Sequence, residues 1–306
     1  MKIFRFQYEK NPVYNQFCKH LNIEIHDVKT LRQIPFLPIQ LFKTHQVVSV
    51  QNPESTVFTS SGTTGTITSR HIVADISLYK QSYRNGFSQS YGNVEDYAIL
   101  ALLPSYLERE GSSLIYMVDD LIKLTNNEHS GFYRKNHDAL IEKLIALDDS
   151  GKNVILIGVT YALLDLIEKQ NFNLQNTIII ETGGMKGKRP EMIREELHEK
   201  LCAGFGVANI HSEYGMTELL SQAYSHGNGI FECPDWMHIL IRDTEDALSY
   251  ISDGKTGGIN VIDLANINSC SFIATQDLGK KYTNNSFEVL GRFDNSDIRG
   301  CNLMVI

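Results

Sequence analysis

The sequence predicts an α/β fold: a mainly parallel sheet covered on both faces, followed by a smaller β-rich C-terminal subdomain. Continuous apolar runs at Tyr97–Leu103 (YAILALL), Val154–Val159 (VILIGV) and Thr177–Ile180 (TIII) suit strands buried on both faces. Segments of helical periodicity alternate with them. After Gly257 the texture changes to short β-like segments separated by turns. The expected organisation is an α/β core over 1–256 and a β-rich subdomain over 257–306, with no linker that would let the two separate freely.

Met1 to Val50 reads as a helical preface, with Val13, Phe17 and Leu21 at i, i+4 and i+8. It ends in Ile34–Gln40 (IPFLPIQ), where Pro35 and Pro38 break any helix. Val47–Val50 and Ser55–Phe58 read as short strands around Asn52-Pro53. Pro104 stops the first apolar run. Asn136–Leu147 carries Leu140, Leu144 and Leu147 at helical spacing, and a second helical stretch covers Tyr161–Lys169. Pro190–Leu201 reads as a helix, with Pro190 in its first turn and Ile193, Leu197 and Leu201 on one stripe. Gly258–Leu264, Cys270–Thr275, Ser286–Leu290 and Asn302–Val305 are the β-like segments of the last part.

Composition narrows the function. The 306 residues are 42% hydrophobic and 21% charged, as in globular proteins and unlike disordered chains. The net charge of −8, from 28 Lys+Arg against 36 Asp+Glu, argues against a nucleic-acid partner, which requires a basic surface. A small phosphate ligand held by backbone amides stays open. No apolar run reaches the ~18 residues of a membrane span. Met1–Lys10 lacks the apolar core of a signal peptide. A soluble, cytoplasmic protein is expected. The five cysteines, Cys18, Cys202, Cys233, Cys270 and Cys301, form no CxxC pair, so reduced thiols are expected. Any one of them can still be a nucleophile.

Phe58–Gly65 (FTSSGTTG) follows a β-like run and leads through more hydroxyls to Arg70-His71. Glycines permit close backbone approach, and such a loop can wrap polyphosphate with N–H groups and hydroxyls. The alternative is a flexible surface loop. The P-loop pattern fails: Gly183–Arg189 (GGMKGKR) has the wrong glycine spacing and Arg189 where a hydroxyl belongs. Gly204–Asn209 lacks the third glycine of a dinucleotide fingerprint, and neither GxSxG nor HExxH occurs.

Glu181–Met185 (ETGGM) directly follows the strand TIII, where α/β sheets bind ligands and a Gly-Gly pair lets a flat ring lie on the backbone. A tight turn into the next helix is the alternative. His211–Leu219 (HSEYGMTEL) groups an aromatic ring, a glycine, a hydroxyl and carboxylates. A Tyr can stack on a purine, a Thr can meet phosphate and a Glu can hold Mg²⁺; an exposed helix start capped by Ser212 or Thr217 is the alternative. Thr275–Gly279 (TQDLG) places Asp277 at a strand end, suited to ribose hydroxyls or simply to a turn. Gly291–Cys301 (GRFDNSDIRGC) combines Arg292, Asp294, Arg299 and Cys301, or is a charged turn between strands.

In this order the motifs resemble those of the adenylate-forming superfamily, the acyl-CoA synthetases, adenylation domains and firefly-type luciferases. FTSSGTTG is similar to its phosphate loop and ETGGM to its adenine turn. YGMTE matches its aromatic-Gly-x-Thr-Glu motif, TQDLG resembles its T-G-D segment and GRFDNSDIRG its hinge motif. These matches run from Phe58 to Gly300 and cover most of the chain. HSEYGMTELLSQAYS, Ser69-Arg70 and the early chain end resemble the LuxE-like acyl-protein synthetase branch.

The resemblance implies a large adenylating core without the C-terminal lid of the superfamily. It implies activation of a fatty or other carboxylic acid with ATP and Mg²⁺, then transfer of the acyl group to a cysteine near the C-terminus and on to a reductase partner. By position, Ser60, Ser61, Gly62, Thr63, Thr64 and Gly65 would cradle phosphates. Gly183, Gly184 and Met185 would line the adenine, and Tyr214, followed by Gly215, would stack on it. Thr217 would meet the α-phosphate, Glu218 the Mg²⁺ and Asp277 the ribose, with Arg292 nearby. Cys301 would accept the acyl group. The lysine that many members carry after the glycine loop is replaced here by Thr66, Ile67 and Thr68, leaving Arg70 as the nearest cation, and without the lid and its catalytic lysine the resemblance leaves Arg292, Arg70, Lys186 or a partner protein to supply the charge. Two other functions stay open: an AMP-forming ligase that loads CoA or a carrier protein, and a non-catalytic nucleotide-binding subunit. The oligomeric state is not legible.

Overall fold

The computed structural model describes residues 1–61, 68–103, 111–133, 136–185, 188–190 and 192–293. The chain divides into two compact units that interleave along the sequence. One comprises Met1–Ser82, Thr217–Ser221 and Glu232–Ile306, of which 62–67 and 294–306 lie outside the described residues. The other comprises Tyr83–Met216 and Gln222–Phe231.

The second unit holds the parallel sheet. Its strands run Gly131–Phe132, Ala98–Leu102, Val154–Val159, Thr177–Thr182 and His211–Tyr214 in spatial order, each pair parallel. Ala223–Ser225 adds an antiparallel strand beside His211–Tyr214. Every residue of Ala98–Leu102 and Val154–Val159 is buried, which is why these runs lack polar alternation. Asp148, at the end of the helix His137–Asp149, accepts from the Gln175 and Asn176 N–H groups and the Thr177 hydroxyl at 2.9, 2.8 and 2.7 Å. One buried carboxylate thereby fixes where the strand Thr177–Thr182 begins. The helix expected over Pro190–Leu201 forms instead over Arg194–Phe205 and closes on Gly206 in the left-handed region. Arg189, before this helix, forks onto Asp165 and Glu168 of the helix Thr160–Lys169.

The first unit is built on an antiparallel sheet of Met237–Arg242, Thr256–Asp263, Phe272–Lys281 and Phe287–Arg292. Leu37–Pro38 runs parallel beside Phe272–Lys281. The N-terminal helices Lys2–Lys10 and Pro12–His20 are joined at Asn11, whose side chain caps the second, with Pro12 in its first turn. Buried Gln7 donates to the Ile267 carbonyl at 2.9 Å and accepts from the Ser271 N–H at 3.0 Å. Phe4, Tyr14 and Phe36 pack on Phe272. The N-terminal preface and the C-terminal strands therefore share one core.

The division falls between Ser82 and Tyr83 and not at 256/257, because Thr256–Asp263 pairs with Met237–Arg242 from Met237↔Asp263 to Arg242↔Gly258. The strand expected at Val47–Val50 does not form. That segment is held by isolated bonds, Ser49 N–H to the Asn268 carbonyl and the Ser269 hydroxyl to the Val47 carbonyl. The strand expected at Asn302–Val305 lies outside the described residues. Among the described residues no helix is long and apolar enough to cross a membrane.

Candidate functional site

In the first unit, Thr56–Thr59 and Arg70–Val73 form a two-stranded antiparallel hairpin whose connection is the glycine-rich loop. Ser60 closes its mouth. Its N–H donates to the Ser69 carbonyl at 3.1 Å, and its Oγ accepts from the Ser69 N–H at 2.9 Å. Ser61 and Arg70 are exposed. Gly62, Thr63, Thr64 and Gly65 lie outside the described residues, as do Lys186 and Cys301.

Thr217 and Glu218 are fixed through their backbones. His71, fully buried, donates from Nδ1 to the Thr217 carbonyl at 2.8 Å. Its Nε2 lies 3.0 Å from Asn266 Oδ1, and Asn266 Nδ2 donates to the Glu218 carbonyl at 2.8 Å. Burial pushes the His71 ring down to about 4, against these two hydrogen bonds, which favour the charged form. Beyond Glu218, the Asp263 carboxylate accepts from the Leu220 and Ser221 N–H groups at 2.7 and 3.0 Å. The segment is thus held by its carbonyls on one side and its amides on the other.

This leaves Glu218 6% exposed. Burial raises its pKa, while a hydrogen bond with Ser69 and the charges of Arg292 and Lys43 lower it. A buried carboxylate held toward its neutral form gains from a hard cation, which favours the ionised form. Among the described residues no group of three or more His, Cys, Asp or Glu could hold a metal by itself.

Asp277 and Arg292 face each other across Phe272–Lys281 and Phe287–Arg292, with Arg292 Nε 3.5 Å from Asp277 Oδ1. Asp277 sits inside its strand, not at the strand end expected from sequence, because the strand continues to Lys281. The register of the pair shifts at Leu278/Gly279, and such irregularities re-aim neighbouring side chains.

In the second unit, the ends of Thr177–Thr182 and His211–Tyr214 bring the other candidates together. Gly183 has φ +67°, and its carbonyl accepts the Thr160 hydroxyl at 2.7 Å. A Cβ on Gly184 would meet nothing within 4 Å, so this backbone faces open space. Met185 is buried. Glu181, also buried, lies 3.8 Å from Arg194 and 3.6 Å from His198. Thr182 donates to Glu213 Oε2 at 2.6 Å. A Cβ on Gly215 would lie 2.4 Å from Glu213 Oε1, so Gly215 lets this carboxylate fold beneath the turn. Tyr214 packs its ring 5.9 Å from Phe231, over which Arg194 lies at 5.1 Å.

Burial pushes the Cys18, Cys233 and Cys270 thiols up to about 12 and raises Cys202. None of these is an activated thiol. His71, Asn266, Asp263 and Thr160 escape sequence reasoning. His71 is visible only as the residue that closes the loop, and nothing in IDLAN marks Asp263 as a partner of Leu220.

The fold is that of the adenylate-forming, AMP-forming ligases. The open conformation of 2-hydroxyisobutyryl-CoA ligase, in complex with 2-HIB-AMP and CoA, aligns with a TM-score of 0.73 at 13% identity. The alignment covers 96% of this chain and 68% of that one. ATP-bound MatB from Rhodopseudomonas palustris aligns with a TM-score of 0.59 at 16% identity, over 80% and 49%. The chain spans about half the length of the MatB structures it matches. No curated protein sequence matches it. The family model "Acyl-protein synthetase, LuxE" matches residues 122–306, more than half of the chain. The chain belongs to this family.

Proposed function

We propose that the chain activates a carboxylic acid with MgATP to an acyl-adenylate, then takes the acyl group onto the thiol of Cys301 for delivery to a reductase partner. The observation that carries this is the family match, which contains YGMTE, Asp277, Arg292 and Cys301. An acid carboxylate attacks the α-phosphorus and pyrophosphate leaves. The Cys301 thiolate then attacks the acyl carbon and AMP leaves. Bound Mg²⁺ would withdraw charge from the phosphates. Ser60 and Ser61, with Gly62–Gly65, offer hydroxyls and amides to phosphate, and Thr217 offers a hydroxyl. Gly183, Gly184 and Met185 offer a backbone surface for adenine, supported by the open space at Gly184. Asp277 offers a carboxylate to ribose, and Arg292 adds positive charge beside it.

Acid-dependent ATP–pyrophosphate exchange, screened over acids of different chain length, tests the adenylation step. ATP binding without exchange for any acid would indicate a non-catalytic nucleotide-binding subunit. The likeness to 2-hydroxyisobutyryl-CoA ligase supports a second acceptor, CoA. AMP release that requires CoA, with no acyl group on the protein, would favour it.

A further inference from the structure

Trp236, the single tryptophan of the chain, starts a one-way chain of hydrogen bonds. An indole donates and does not accept, so its N–H donates to Ser82 Oγ, 2.9 Å away. The Ser221 hydroxyl donates to Asp263 Oδ1 at 2.6 Å. The Ser82–Ser221 contact of 3.1 Å therefore runs with Ser82 donating. The indole sets the direction of the first bond, and Asp263 at the other end sets that of the two serine bonds.

Asp263 is fully buried. Its donors are the Leu220 N–H, the Ser221 N–H and hydroxyl, and the Ala265 N–H at 3.1 Å. A carboxylate this deep is unfavourable unless its lone pairs are used, and here most of the donors that use them belong to Leu220 and Ser221. These residues directly follow YGMTE and Leu219. On the other side His71 and Asn266 take the Thr217 and Glu218 carbonyls. Displacing the segment would break bonds on both sides.

We infer that Asp263 is a positioning residue for Thr217 and Glu218, acting through the amides of Leu220 and Ser221 and the Ser221 hydroxyl. This rests on the proposed reading of Glu218 as the magnesium carboxylate and Thr217 as a phosphate contact. Asp263 touches neither reactant. It sets where the two side chains are presented, and the hydrogen-bond chain makes Trp236 a reporter of its state.

The test uses the full chain as Asp263→Asn, the milder Ser221→Ala and Glu218→Gln, each checked for cooperative unfolding. Three quantities are measured: hydrogen exchange of the 217–221 amides without ligand, Trp236 emission, and the Mg²⁺ dependence of ATP–pyrophosphate exchange. In Asp263→Asn, exchange at Leu220 and Ser221 is expected to accelerate and Trp236 emission to shift. The Mg²⁺ needed for half-maximal activity is expected to rise about 10–100-fold, the range for loss of an outer-shell support. Ser221→Ala is expected to shift the Mg²⁺ requirement less, in the same direction, and it decides the matter if Asp263→Asn does not fold. An unchanged Mg²⁺ requirement in both, while Glu218→Gln moves it, overturns the positioning role. If Glu218→Gln leaves the requirement unchanged, the magnesium reading of Glu218 fails. In that case faster exchange at Leu220 and Ser221 with a lowered kcat still supports positioning through Thr217, and their absence overturns it.

Discussion

The Nδ1–H of His71 donates to the carbonyl oxygen of Thr217 at 2.8 Å, from a ring with no solvent exposure. Removing the ring strands a buried carbonyl and opens a cavity, costs that together reach ~2–4 kcal/mol. His71→Ala is expected to lose about that much stability in urea unfolding. Its ATP–pyrophosphate exchange should fall further than the unfolded fraction explains, because the Thr217 carbonyl is released. His71→Gln, which can still donate, should recover part of both. Wild-type stability in His71→Ala would show that the contact contributes nothing.

The same ring predicts a pH dependence. Burial places His71 at about 4 in the folded chain, against its ordinary 6.5. The unfolded chain therefore binds the proton more readily. The contribution is fully present above about 6.5 and is lost as pH falls toward 4, with a limit of ~3 kcal/mol from the linkage relation. His211, held down to about 4 by burial beside His226, adds a slope of the same sign. Urea titrations between pH 7.5 and 4.5 should show a shallower slope in His71→Gln than in wild type. Identical slopes would mean that His71 does not titrate in this range.

Much of the fold is legible in the chain because buried parallel strands have an unmistakable texture. VILIGV and TIII need no tertiary knowledge, and the helix after Asn136 announces its cap, which accepts the Ala139 N–H. Val47–Val50 misleads because its three valines favour an extended chain without supplying a neighbour to pair with. The Pro190 helix starts late, and the fork of Arg189 onto Asp165 and Glu168 before it is a tertiary contact with no local signal. At the site the motif residues are local and readable. Their supports are not: Asp263 meets Leu220 only because the strand Thr256–Asp263 ends there.

Glu218 should behave as a residue that weakens the fold. Burial raises its pKa above the ordinary 4.5, so the folded chain holds this proton more tightly than the unfolded one. Stability from this group is present below about 4.5 and is lost as pH rises through the raised value. Glu218→Gln carries no such loss. It is expected to melt above wild type at pH 7–8, with the difference shrinking to nothing below pH 4.5, and to have little exchange activity. A lower melting temperature than wild type at pH 7 would contradict the assigned direction.

Thr160 is expected to act on the turn at Gly183. Its hydroxyl is buried and donates to the Gly183 carbonyl at 2.7 Å, with Glu181 Oε2 at 3.3 Å. Thr160→Val keeps the shape, removes the donor and should cost ~1–3 kcal/mol for the orphaned carbonyl. If the glycine turn lines adenine, KM for ATP should rise while the response to Mg²⁺ stays unchanged. Thr160→Ser should restore both stability and KM. A Thr160→Val enzyme with unaltered KM would detach the turn from the nucleotide.

The thiol assignment leads to the most direct chemical test. Cys18, Cys233 and Cys270 are held up to about 12 by burial and Cys202 is raised as well, so each is overwhelmingly protonated at neutral pH. A thioester on this protein should therefore form at Cys301, the remaining cysteine of the sequence. Incubation with ATP and a labelled fatty acid should leave label on the protein, and neutral hydroxylamine should release it. Cys301→Ser should abolish the hydroxylamine-sensitive label and leave acid-dependent ATP–pyrophosphate exchange within about twofold of wild type, because adenylation precedes thiol attack. Label retained in Cys301→Ser would remove Cys301 as acceptor. Exchange lost together with label would place Cys301 in the adenylation step itself.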